Sequence, residues 1–130
     1  MRLIYVASIA PEDGGEGYVA RVPDLPGCVT TGRTLAETLD NIRDAASVYL
    51  CSLEDDRVPL PVPRAPEAVE LEPGATRALV DVDTVLYRKM TDTSAVRKNV
   101  SLPAWMATMA EARGLNCSQV LQEALRSLLV

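Results

Sequence analysis

The side chains that could do chemistry in this 130-residue chain fall into two groups. The first is acidic. Asp40 and Asp44 are spaced four apart, Asp81 and Asp83 alternate within "LVDVD", and Asp24 stands in a proline-bounded loop, so each pair projects from one side of its element. Clustered carboxylates can hold two magnesium ions for nucleolytic chemistry. Against that, Asp40 and Asp44 belong to the wet side of a helix, where carboxylates are solvated surface, and no third carboxylate is fixed by spacing beside Asp81 and Asp83. Histidine is absent, which removes the commonest general base and the commonest zinc ligand. Cys28, Cys51 and Cys117 form no CxxC pair. The expectation is a protein that is not an enzyme and uses no metal and no cofactor.

The second group is basic and polar. "VRKNVSLP", residues 96–103, reads as a short strand stopped by a proline. A period of two puts Val96, Lys98, Val100 and Leu102 on one face and Arg97, Asn99 and Ser101 on the other. A two-stranded ribbon fits the DNA major groove, where arginine pairs with guanine and asparagine with adenine. Further on, Asn116, Cys117 and Ser118 open a helix whose free N–H groups, with the Ser118 hydroxyl, suit a phosphate. Lys98 is a misfit, since it falls on the apolar face and must snorkel or break the alternation. The plainer reading of the strand is a charged edge that resists aggregation.

Charge separates the two groups along the chain. Residues 1–87 carry seven basic and fifteen acidic side chains and residues 88–130 six and three, so a front half of about −8 precedes a tail of about +3. That asymmetry is the footprint of a nucleic-acid-binding appendage on an acidic module.

The elements that must position these residues follow from pattern. "RLIYVASIA", "YVARV" and "CVTTG" read as strands, with "PEDGGEG" as the first turn and Pro23 and Pro26 bending the chain after the second strand. Thr34 and Glu37 form a capping box ahead of a helix whose stripe is Leu35, Leu39, Ile42, Ala46, Tyr49, Leu50 and Leu53. "PLPVPRAPEAVELEPG" is extended, and "TRALVDVD" is a fourth strand. The first domain, residues 1–87, is thus β-β-β-α-β in an α+β protein. "RKMTDTSA", residues 88–95, reads as a linker. Residues 96–130 hold the basic strand, a helix opening at Pro103, the break "RGLN" and a helix from Cys117 to the C-terminus.

That last unit of about 35 residues is too small to fold alone without a metal, disulfides or oligomerisation. It has no metal ligands, so two copies are expected to align their strands antiparallel and interlock their helices. No apolar run approaches the roughly 20 residues of a membrane span, and the N-terminus turns polar too soon for a secretory signal. The expected location is cytoplasmic.

"YVARVPDLPGCVTTGRTLAETLDNIRDAASVYL" closely resembles the N-terminal signature of the HicB family of antitoxins, and "SLPAWMATMAEARGLNCSQVLQEAL" is similar to that family's short-helix ribbon-helix-helix domain. The resemblance implies a first domain similar to a partial ribonuclease H fold, which binds and blocks a HicA-type toxin, a small histidine-dependent ribonuclease that cleaves mRNA. It also implies a C-terminal homodimer that binds operator DNA, so that the toxin and antitoxin repress their own operon; a dimer of dimers stays open. Carried over by position, Arg97, Asn99 and Ser101 become the base-reading residues and Asn116, Cys117 and Ser118 the phosphate clamp. Pro23, Asp24, Leu25, Pro26 and Gly27 fall in the region implied to contact toxin. Cys117 departs from the pattern, standing where a larger apolar residue is commoner. The alternative is a stand-alone ribbon-helix-helix transcription regulator whose first domain is a sensor or has lost its partner.

Overall fold

The computed structural model describes residues 2–92 and 94–129. Thr93, inside the expected linker, and Val130, at the expected end of the last helix, lie outside the described residues. The chain divides into two compact units, Met1–Tyr87 and Arg88–Val130.

In the first unit the apolar opening forms β1 (Arg2–Pro11), followed by β2 (Tyr18–Arg21), β3 (Val29–Gly32), α1 (Leu35–Asp55) and β4 (Thr76–Asp83). The sheet order is β3-β2-β1-β4, and each neighbouring pair is antiparallel. The register sets Ser8 opposite Arg21, Tyr18 opposite Gly32 and Tyr5 opposite Val80. Alternation then turns Tyr5, Ala7, Ile9, Ala20, Val22, Val80 and Val82 to one side, where they share a core with Ile42, Ala46 and Leu50 of α1. Each large side chain buried there contributes about 1.5–3 kcal/mol. The α+β class and the expected β-β-β-α-β order are both present.

α1 begins where the capping box requires it: the Thr34 hydroxyl oxygen accepts the Glu37 amide at 3.1 Å. Its stripe is buried at Ile42, Ala46 and Leu50, whereas Leu35 and Leu39 on the same stripe stay exposed. Gly32 is needed at the junction. A Cβ there would sit 2.7 Å from the Thr38 amide nitrogen and 2.8 Å from its Cα, closer than β3 and α1 can tolerate.

The proline-rich segment between α1 and β4 keeps an extended path except for a short 3-10 turn, Pro66–Ala68. Its later part, from Pro66 on, lies against the other side of the sheet: Val69 is buried, Arg77 donates to the Pro66 and Val69 carbonyls at 2.6 and 2.9 Å, and the Ser8 hydroxyl donates to Glu72 at 3.4 Å. After β4 comes α2 (Thr84–Thr91), so residues 88–91, the first half of the expected linker, are helical. The Asp83 carboxylate accepts the Leu86 amide at 3.1 Å and caps the start, while Arg88 and Lys89 occupy the last turn, where the helix dipole favours cations.

The second unit contains α3 (Ala104–Ala112) and α4 (Cys117–Leu129). Pro103 stands just before α3 rather than within its first turn. Gly114, at φ +66°, closes α3, with the Leu115 amide returning to the Ala110 carbonyl at 3.0 Å. The expected strand at Val96–Leu102 is not formed: this segment has no ladder and is exposed throughout. An extended segment needs a second one to pair its N–H and C=O groups, and within a single chain none is offered. For the same reason no inward and outward face exists there, and Lys98 is as exposed as Arg97 and Asn99.

Candidate functional site

The loop between β2 and β3 is a rigid object. Val22 donates its amide to the Cys28 carbonyl at 3.1 Å, Leu25 to the Val22 carbonyl at 3.0 Å and Cys28 to the Leu25 carbonyl at 2.9 Å, with Gly27 at φ +85° closing the turn. Leu25 is completely buried in the core, and Cys28 beside it is buried too. Of the five residues expected to meet a partner, Pro23, Pro26 and Gly27 face solvent, while Leu25 and Asp24 hold the loop in place.

Asp24 reaches across to the proline-rich strap. Its carboxylate, only 7% exposed, accepts the Arg64 amide at 2.9 Å and the Arg64 Nε at 2.6 Å. Burial alone would raise this carboxyl, but the hydrogen bonds from the Arg64 backbone and side chain, together with the guanidinium charge, outweigh it and hold the group below its ordinary value. Three residues earlier the buried Tyr5 hydroxyl donates to the Pro61 carbonyl at 2.5 Å, and burial, with the Asp24 charge adding to it, pushes the phenol up to about 12. The strap is therefore fastened at residues 61 and 64, with Val62 between them 85% exposed. Sequence reasoning read these prolines only as extended chain. The signal it passed over was a lone valine flanked by two prolines, a side chain with no core to enter.

The remaining carboxylates do not converge. Asp81 pairs with Arg2 at 3.1 Å and Arg43 at 3.7 Å, Asp83 caps α2, and Asp44 accepts the Tyr87 hydroxyl at 3.1 Å. No three histidine, cysteine or acidic side chains among the described residues are arranged to hold a metal ion. A hollow that the sequence did not single out is lined by Glu12, Glu16, Glu37 and Arg33 where the β1–β2 turn meets the start of α1. It adds to the acidity of this unit.

In the second unit Arg97, Asn99 and Ser101 lie exposed along the unpaired segment. Asn116 caps α4, its side-chain oxygen accepting the Gln119 amide at 3.1 Å. Cys117 and Ser118 follow in the exposed first turn, where backbone amides have no acceptor within the helix. The apolar side chains of α3 and α4 have no cover either: neither helix has a buried residue, Trp105 is 63% exposed and Leu128 81%. No helix among the described residues is long and apolar enough to cross a membrane.

Residues 5–124 match a protein family described as the HicB_like antitoxin of bacterial toxin-antitoxin system. A protein from the rep-hol intergenic region of Haemophilus phage HP1 is 40% identical over 53 residues, 41% of this chain and 40% of that protein, so the chain spans two-fifths of that relative's length. Among solved structures, the antitoxin HicB of Burkholderia pseudomallei is 25% identical over 98% of this chain and 99% of that one, with a TM-score of 0.57. A chain of a toxin-antitoxin complex from Streptococcus pneumoniae shares the fold at 22% identity, with a TM-score of 0.62, again over 98% and 99% of the two chains.

Proposed function

Because this chain belongs to the HicB-like antitoxins of bacterial toxin-antitoxin systems, we propose that its first unit binds and inhibits a HicA-type mRNA-cleaving ribonuclease and that its second unit dimerises to repress the operon encoding both. The first unit is read as a partial ribonuclease H fold that keeps a sheet and a covering helix and serves as a binding module. Its net charge of about −8 suits a basic, RNA-binding partner, since opposite charge steers encounter and competes with RNA for the same surface.

The single observation that carries the reading of the second unit is the apolar surface of α3 and α4, on which no side chain is fully buried. Two short helices bury little alone, whereas a second copy covers both stripes and pairs the two 96–102 segments antiparallel. Pairing would create the faces that a single chain lacks, presenting Arg97, Asn99 and Ser101 twice over to a major groove. The first turn of α4, at Asn116, Cys117 and Ser118, would then meet a backbone phosphate.

The direct test is to express the chain with its neighbouring genes and ask what co-purifies. A small basic protein whose ribonuclease activity is suppressed in the complex and restored on dissociation is the expected outcome. Specific operator binding by the chain with no such partner would favour a stand-alone ribbon-helix-helix regulator instead.

A further inference from the structure

We infer that Val62, held between Pro61 and Pro63 on the strap that Asp24 ties to the 22–28 turn, is the apolar anchor on which the first unit docks its basic toxin partner; this rests on the antitoxin reading above. Three observations lead there. The strap bends to the fold on both sides of Val62 and not at Val62: Leu60 packs against the core, the buried Tyr5 hydroxyl holds the Pro61 carbonyl, and the nearly buried Asp24 holds both the amide and the guanidinium of Arg64. Between these fastenings the valine is 85% exposed, the most exposed large apolar side chain among the described residues of the first unit. The Asp24–Arg64 pair also ties the strap to the 22–28 turn, so the two exposed prolines of that turn and the valine belong to one rigid body.

Rigidity is what an anchor needs. Prolines on both sides fix the local backbone, so little conformational freedom remains to be lost when a partner covers Val62. The occupant follows from charge. The first unit as a whole is about −8, and opposite charge suits a basic protein that otherwise binds RNA. A second copy of an equally acidic unit would meet repulsion there.

The test uses the full chain and the basic partner that co-purifies with it, with affinity measured by calorimetry. Val62→Asp and Val62→Arg are both expected to weaken the complex by about tenfold or more while leaving the thermal melting temperature unchanged, because either charge must be desolvated at the contact. Val48→Asp, on the exposed side of α1, is expected to stay within about twofold of the parent. If Val62→Asp tightens binding while Val62→Arg weakens it, only long-range charge is felt and the anchor assignment is wrong. It is equally wrong if Val48→Asp breaks the complex and the Val62 variants do not, or if the Val62 variants alter only the oligomeric state. Failure of the parent chain to bind any basic partner would overturn the antitoxin reading as well, whereas a parent complex indifferent to Val62 overturns this inference alone.

Discussion

The Asp24 carboxylate accepts hydrogen bonds from both the backbone and the side chain of Arg64, and that pairing has a pH signature. Its pKa is depressed in the folded chain, so the stabilisation is present above the ordinary carboxylate range, about 4, and is lost as pH falls through the lower folded value. Asp24→Asn should therefore be less stable than the parent at neutral pH, and its stability should fall less steeply below about pH 4. Parallel urea titrations at several acidic pH values would measure this, and identical pH slopes for the two proteins would contradict it. At this scale the turn at "PDLPG" is legible in the sequence, but the inward direction of Asp24 and Leu25 is not, because burial of individual side chains depends on neighbours far along the chain.

Among the elements, α1 was legible because its cap and its stripe are both local. α2 was not, since a short polar helix has no stripe long enough to detect and depends on Asp83 for its start. The basic segment shows the opposite failure. In one chain it forms no ladder, and under the proposed dimer its strand character would belong to a pair of chains. Two consequences are measurable. Leu121→Glu with Leu125→Glu should convert a dimer to a monomer in sedimentation and reduce helix content, with the first unit still melting cooperatively, since these leucines have no core of their own to leave. Arg97→Ala with Asn99→Ala should leave the dimer intact and weaken specific operator binding by about 1–3 kcal/mol for each lost base contact in a gel-shift titration. Unchanged operator affinity would remove Arg97 and Asn99 from the groove.

For the molecule as a whole, charge is unevenly spread: about −8 on the first 87 residues and about +3 on the remainder. Added salt should slow association with a basic partner while changing dissociation little, and should separately weaken operator binding through release of phosphate counterions. Stopped-flow association across a salt series and operator titrations in the same buffers would show both, and a salt-independent association rate would remove charge steering from the account. The sequence by itself determined the strand order of the first unit, the capped helix and the charge asymmetry, because alternation, capping and composition are written locally, and the family through the resemblance of two stretches to known members. Only the tertiary structure decided that Leu25 is core, that Asp24 fastens a strap sixty residues into the chain, that Asp81 is shared by two arginines, and that Val62 is left outside. Those outcomes depend on which distant segments meet, and contact between distant segments is set by the packed fold rather than by any stretch of sequence.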